Sequence, residues 1–559
     1  MSFVRDVPPA ERVLLAALLA YAFAFALAHY NFPAAPTPDF FSFRGTAASF
    51  AQLEVPASFK RAPAFPAALA LVRLVMPGPH PYLAAANLIN LLASVGVLAL
   101  AYYWARPRLG RSAPLLVALV AVYSQFPVLA TMPLCEMGYL LFILAAVATA
   151  GRGTGWPYLW AGLAAATRYE ALALIPFVAL ADLGRWRERP RLLLYAALAG
   201  LPAAAWVVVG YLHTTSPNPY LEEIRALEAS GAAFPRELAA SLFDPAKPWM
   251  WAITAAFAAV TAVGFAKVAA RGGASERLYL AFAAAYTLIH IIFPFSSRRF
   301  VFPIWPMVAF GFVEGGRVLF AAAARLRLRR AWYAVGASFL AAAVIGLLYR
   351  LGLSRPASLA EVAFAGLIPL AGLAACLAWA VAGREDRARR WAAVGAAALA
   401  LTLFLDRSAD FFWRERDTLR VARASSREAA EWLAAAAGPE DVIVSADPDL
   451  FRYYTAGRGV RVRPPASFRT DNFDRFTREA RGAGVSYVCY DSLSGRDPYD
   501  YFASRAGAAL LAPLAAGRDV GRYYFVGATK APGEYVYIYR LAEEPARWNG
   551  RPFLPRDER

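Results

Sequence analysis

Apolar and polar residues along this chain fall into long blocks rather than the short alternations of a soluble domain. Residues 13–28 read VLLAALLAYAFAFALA, and comparable apolar stretches recur near 11–30, 82–104, 113–131, 134–150, 191–212, 248–269, 277–295, 300–320, 331–350, 358–382 and 389–406. A helix that crosses a bilayer needs roughly 20 mostly apolar residues, and each of these is close to that length. One more apolar stretch, 157–184, is broken in its middle by Thr167-Arg168-Tyr169-Glu170. It reads as two short helices forming a hairpin, with Arg168 and Glu170 near the tip. The run KRAPAFPAALALVRLVMP (60–77) is too short to span and is interrupted by Arg73, which fits an amphipathic helix lying in the interface.

From about 415 the period changes. An Ala-rich helical stretch (417–437) is followed by short β-rich runs, VIVSA (442–446), VRVRP (460–464), VSYVCY (485–490), YYFVG (523–527) and YVYIY (535–539). Strands alternating with helical segments predict a small α/β domain. The expected fold class is therefore a polytopic α-helical membrane protein with a small carboxyl-terminal α/β soluble domain. Its multi-span part covers 1–406, with a first outer loop at 31–81, and the soluble part covers 407–559. The soluble part has no GxGxxG or GxxxxGK(S/T), so nothing there points to nucleotide binding. ADPDLFRYYTAGRGV (446–460) is its most distinctive stretch.

Composition agrees with the pattern: of 559 residues, 59% are hydrophobic and 18% charged, far more apolar than a soluble chain. The first apolar stretch has some marks of a signal peptide, with Arg5 and Arg12 before it and Ala26-Leu27-Ala28 near its end. Because the later spans need the same membrane, it is read as an uncleaved helix. Cys135, Cys376 and Cys489 are the three cysteines, too few and too scattered for a disulfide framework.

The net charge of +18 changes the picture only through its distribution. Basic residues cluster as RPRLGR (106–111), RWRERPR (185–191), KVAARGG (267–273), RLRLRR (325–330) and REDRARR (384–390), between apolar blocks. Such clusters orient membrane spans, so nucleic acid is not the expected partner. With the amino terminus in the cytoplasm and the 157–184 hairpin crossing twice, every cluster falls inside. Roughly thirteen crossings follow, and the carboxyl-terminal domain lies outside.

The outer side then collects Asp39, Glu54, Glu136, Arg168, Glu170, His213, Arg298 and Arg299. Ionisable residues at the membrane are costly unless paired or solvated, so their gathering at one face marks a candidate site. Two readings stand at each. Asp39 in PTPDFFSFRG is either a turn former or a general base for an acceptor hydroxyl. Glu136 is either an acidic residue favoured at a helix start or a second carboxylate facing Asp39, acting as acid, acceptor orienter or ligand to a shared divalent cation. Arg298 and Arg299 either snorkel to lipid headgroups or grip a phosphate through the paired hydrogen bonds that guanidinium geometry permits. Arg168 and Glu170 either pair with each other or take part in catalysis.

Taken in order, these segments resemble the polyprenyl-phosphate-dependent glycosyltransferases of the GT-C fold, in particular bacterial relatives of protein O-mannosyltransferases and of the lipid A aminoarabinose transferase. The resemblance is carried by PDFFSFRGTAASF with FKRAPAFPAAL after it, PLCEMGYLLFILAAV, AGLAAATRYEALALIPFVAL and RRFVFPIWPMVAF, the last similar to the family's Arg-aromatic-x-x-Pro-x-x-Pro pattern. A soluble α/β domain after the last span is also common in that family. The resemblance implies an integral membrane enzyme that transfers a sugar from a polyprenyl-phosphate donor to an extracytoplasmic lipid, glycan or protein by inverting displacement. It implies Asp39 as base, Glu136 as a second acidic residue of the site and Arg298 or Arg299 on the donor phosphate. Arg44, Arg61, Arg168, Glu170 and His213 are possible supporting residues. Eukaryotic-type mannosyltransferases carry adjacent Asp-Glu where this chain has Asp39-Phe40, which points away from protein mannosylation. Alanine and arginine richness suggests a GC-rich bacterial genome, hence a bacterial cytoplasmic membrane. A polyprenyl-lipid flippase, and a non-catalytic membrane scaffold, are the competing functions.

Overall fold

The computed structural model describes residues 7–28, 36–213 except 57, 79, 122 and 124, then 238, 248–292, 298–324, 424–492 except 469, 510–531 and 534–542. The expected spans at 331–350, 358–382 and 389–406 lie outside the described residues. The chain divides into two compact units, Met1–Tyr30 with Ser42–Arg414, and Asn31–Phe41 with Glu415–Arg559.

The first unit is helical. Its elements in chain order are α1 (Pro9–Ala28), most of α2 (Pro38–Gln52), α3 (Ala64–Val72), α4 (Pro81–Leu109), α5 (Ala113–Ala121), α6 (Gln125–Thr131), α7 (Glu136–Thr149), α8 (Trp156–Thr167), α9 (Leu174–Ala181), α10 (Arg191–His213), α11 (Pro248–Arg271), α12 (Ala274–Ile292) and α13 (Trp305–Ala324). Three of the described helical stretches are long and apolar enough to cross a membrane, Pro81–Ala121, Arg191–His213 and Thr254–Arg271. The stretch expected to span at 113–131 is broken between α5 and α6, and α6 meets α7 at a 113° bend. Asn90 on α4 holds that bend: its side-chain amide donates to the carbonyls of Met132 and Leu134, the latter at 2.9 Å. Buried carbonyls freed by a helix break need such partners.

Close packing is clearest between α11 and α13. A Cβ at Gly264 or Gly315 would run into backbone atoms of the facing helix, at Gly311 and Val260 respectively. The GxxxG spacing of Gly311 and Gly315 thus works as it does in membrane helices, where small residues let backbones touch.

Ion pairs tie the helices together at one end of this unit. Glu314 on α13, 1% exposed, takes Lys267 at 2.9 Å, Arg317 at 2.9 Å and Arg108 at 3.3 Å. Glu11 at the start of α1 is fully buried against Arg106 at 2.7 Å and the Tyr102 hydroxyl at 2.7 Å. These partners come from the carboxyl-terminal ends of α4 and α11, the later part of α13 and the first turn of α1. They include residues of RPRLGR and KVAARGG, which the charge pattern assigns to a common side.

The second unit is α/β. A five-stranded sheet runs in the order β2-β1-β3-β5-β4, with β1 (Val442–Ser445), β2 (Arg461–Arg463), β3 (Val485–Asp491), β4 (Tyr523–Ala531) and β5 (Glu534–Leu541). β1 pairs in parallel with β2 and β3, and β5 runs antiparallel to both β3 and β4. Alternation along the strands builds two cores. Ile443, Tyr487, Cys489, Val536 and Ile538 pack with α14 (Ala424–Ala436) and with Phe451 of α15 (Pro448–Tyr454). Val442, Val444, Val488, Tyr539 and Leu541 pack with α16 (Phe473–Gly482) and residues 510–514. Burial pushes the Cys489 thiol up, so it is an apolar core residue rather than a reactive one.

Candidate functional site

Four of the ionisable residues singled out from the sequence meet in the first unit. Glu136 opens α7, where the first-turn amides and the helix dipole favour a carboxylate, and it is 2% exposed. Arg168 sits between α8 and the short 3-10 turn Tyr169–Ala173, in extended backbone that ends α8. That break lets its guanidinium reach two carboxylates: Glu136 Oε1 at 2.9 Å and Glu170 Oε1 at 2.8 Å. Arg299, in the 3-10 turn Arg298–Ile304, approaches the same Glu136 oxygen at 3.7 Å.

Aromatic rings form the walls. The Arg168 guanidinium carbon lies 5.1 Å from the Phe300 ring centre and 5.8 Å from that of Tyr139, and Arg299 lies 5.3 Å from Phe300. Guanidinium groups over ring faces gain further where water is scarce. His290 stacks on Phe300 at 4.9 Å and meets Tyr286 at 4.4 Å. The turn carrying Arg299 is pinned from two sides. Tyr279 donates to the Pro303 carbonyl at 2.7 Å, and Trp305 donates to the Leu119 carbonyl at 3.1 Å while stacking on Tyr123 at 4.2 Å.

Arg61 stands in the loop before α3, its guanidinium carbon 5.1 Å from the Phe43 ring centre. The loop is held in place by α10 and the 3-10 turn after α8. Tyr169 donates to the Phe59 carbonyl at 3.2 Å, Trp206 on α10 donates to the Arg61 carbonyl at 2.9 Å, and Phe59 packs on Trp206 at 4.7 Å. Gly210 leaves room for Phe59, since a Cβ there would come within 2.7 Å of it.

The other sequence candidates lie elsewhere. His213 ends α10, exposed, with its ring 6.3 Å from Phe59 and Nδ1 against the Val209 carbonyl. Arg44 is half-buried on α2. Asp39 lies in the first turn of α2 and groups with the second unit. The side chain of Arg298 lies outside the described residues. Among the described residues, no three His, Cys, Asp or Glu side chains converge as a metal-binding group. Glu136, one of the two carboxylates considered for a shared cation, has Oε1 engaged by Arg168, while its Oε2 has no hydrogen-bond partner.

Sequence reasoning missed Tyr139, Tyr286, His290 and Phe300 as site residues. Tyr139 stands one helical turn beyond Glu136 and so shares its face, a signal that was available. Tyr286 and His290, four apart on α12, show the same periodicity, but nothing in the sequence ties α12 to α7.

What the arrangement can do is hold an anion. Arg168 and Arg299 bring two guanidinium groups to a buried, aromatic-walled carboxylate, and guanidinium groups suit phosphate oxygens.

No family model matches the sequence, and no curated protein is similar enough to count as a relative. Solved structures do match over nearly the full length. ArnT from Cupriavidus metallidurans bound to undecaprenyl phosphate superposes with a TM-score of 0.57 at 15% identity, covering 94% of this chain and 98% of that one. Its apo state gives 0.55 at 15% identity, covering 94% and 97%. The archaeal oligosaccharyltransferase AglB from Archaeoglobus fulgidus, in complex with an inhibitory peptide and a dolichol-phosphate, gives 0.51 at 12% identity, covering 97% of this chain and 76% of that one. The chain has the GT-C fold of these membrane proteins.

Proposed function

We propose that this protein is a membrane glycosyltransferase that takes a sugar from a polyprenyl-phosphate donor and delivers it to an extracytoplasmic acceptor. The observation that carries this reading is the convergence of Arg168 and Arg299 on buried Glu136. It occurs in a fold whose solved examples hold undecaprenyl phosphate or dolichol-phosphate.

In the proposed reaction Asp39 takes the proton of the acceptor hydroxyl or amine as that atom bonds to the anomeric carbon. The bond from that carbon to the phosphate oxygen breaks on the opposite side, which inverts the configuration. The departing polyprenyl phosphate gains negative charge, and Arg299, backed by Arg168, stabilises it. Because phosphate leaves readily, no strong general acid is needed. Glu136 and Glu170 hold Arg168 rather than acting on the sugar: Glu136 is a positioning residue that keeps two guanidinium groups from repelling each other. The site then faces the periplasm or its equivalent, the basic clusters face the cytoplasm, and the second unit is extracytoplasmic.

Arg299→Met tests the phosphate role directly. Charge-assisted hydrogen bonds contribute about 1.5–3 kcal/mol each, so binding of undecaprenyl phosphate to the purified protein is expected to weaken roughly 10- to 100-fold. Unchanged binding would remove Arg299 from the donor site.

A further inference from the structure

The stretch ADPDLFRYYTAGRGV has no part in the chemistry above, yet it builds one of the most firmly held pieces of the second unit. Asp447 caps α15 by accepting from the Leu450 amide at 3.4 Å. Leu450 and Phe451 are buried, and Arg452 donates to the Val462 carbonyl at 2.9 and 3.2 Å, tying α15 to β2. Tyr453 on the same helix belongs to neither core of the sheet, although it is only 5% exposed. Within the same unit its ring meets Tyr454 at 5.1 Å and the pair of phenylalanines that follow Asp39. Tyr453 lies 6.3 Å from Phe40, edge to face, and 5.6 Å from Phe41, while Phe40 and Phe41 are 5.9 Å apart. Phe40 is fully buried and Phe41 is 7% exposed.

Neighbouring residues on a helix point about 100° apart. One ring in contact with both Phe40 and Phe41 therefore resists rotation of this turn about its axis as well as its displacement. The backbone is fixed at the other side of Asp39 by the Phe40 amide, which donates to the Thr37 carbonyl at 3.0 Å. Asp39 is thus bracketed by fixed groups.

We propose that Tyr453 is a positioning residue for Asp39: the Phe40–Phe41–Tyr453 cluster fastens the turn bearing the base to the rigid α15 of the soluble domain. This inference rests on the reading of Asp39 as general base. It gives the carboxyl-terminal domain a role in the reaction other than acceptor binding, since a base works only when held within a fraction of an ångström of its working position.

The test uses the full-length protein in lipid nanodiscs, with a polyprenyl phosphate bearing a radiolabelled hexose or pentose as donor. Tyr453→Ala is expected to lower kcat roughly 10- to 100-fold, with KM for the donor changed by less than about twofold because the arginines are untouched. Tyr453→Phe, which keeps the ring, is expected to restore natural kcat. Hydrogen exchange read by mass spectrometry should accelerate in the peptide covering 37–42 in Tyr453→Ala, while β1 and β3 keep their protection. If Tyr453→Ala unfolds the domain, Phe41→Ala removes the same contact from the other side and is expected to give the same kcat loss with the sheet still protected. Natural kcat in these variants, beside an inactive Asp39→Asn, would overturn the positioning role and leave the base intact. Natural turnover in Asp39→Asn itself would instead remove the base, and the positioning role with it.

Discussion

Asp39→Asn is expected to lower the rate of sugar transfer by roughly 10²- to 10⁴-fold, the range that a positioned general base contributes. Asparagine keeps the shape and the hydrogen-bonding oxygen of the side chain but cannot accept the acceptor's proton. The loss should appear in kcat, because the arginines proposed to hold the donor phosphate are untouched. Folding should change little. Asp39 lies in the first turn of α2, where a carboxylate gains from the helix dipole, but that gain is only about 0.3–1 kcal/mol at an ordinary helix end. A turn-forming aspartate would show the reverse, a small change in stability and none in turnover. Steady-state transfer measured beside a thermal melt of the same preparation separates the two.

Arg168→Met is expected to destabilise the protein by about 3–5 kcal/mol, the cost of removing one partner from a buried ion pair. Arg168 links Glu136, 2% exposed, to Glu170 through two short bonds, so its loss takes the close guanidinium from both carboxylates and leaves Glu136 with Arg299 at 3.7 Å. Arg168→Lys should recover only part of the loss, because an ammonium is a point charge and lacks the planar fork that serves both carboxylates at once. Adding Glu136→Gln to Arg168→Met should recover part of the stability, since it removes a buried charge that has lost its close partner. Denaturation in detergent reads all four proteins, and an Arg168→Met variant as stable as the parent would show that the cluster is solvated rather than buried.

These two residues also mark how far the sequence could be read. The strands of the second unit were legible because β-branched and aromatic residues cluster in short runs between turn residues. VIVSA, VSYVCY and YVYIY all lie on strands. The apolar blocks were legible too, but not their breaks. The stretch 113–131 is apolar enough overall to read as one span: the polar pair Ser124-Gln125 and Pro127 mark the interruption at Tyr123, but a hydropathy window smooths over them and carries no measure of the 113° bend before Glu136. The ion cluster joins residues 136, 168 and 299, and no periodicity links positions so far apart. Arg168 could be seen to break an apolar stretch, and Glu170 to lie within its reach. That Arg168 and Arg299 come to the same Glu136 carboxylate is a property of helix packing alone. Glu314 was overlooked although it is the one acidic residue in an apolar stretch, a feature that by itself signals a partner. The three cations around it bear this out. The attachment of Phe40 and Phe41 to Tyr453 spans more than four hundred residues and left no mark in the sequence beyond the aromatic character of both segments.

Sugar transfer by the purified protein tests the central claim most directly: a polyprenyl phosphate bearing labelled sugar is supplied in vesicles with an extract of envelope acceptors, and both products are measured. The predicted result is labelled acceptor together with an equal amount of free polyprenyl phosphate, both absent with Asp39→Asn. Movement of the intact labelled lipid between leaflets, with no sugar released to any acceptor across a range of donor sugars, would contradict it and identify a flippase instead.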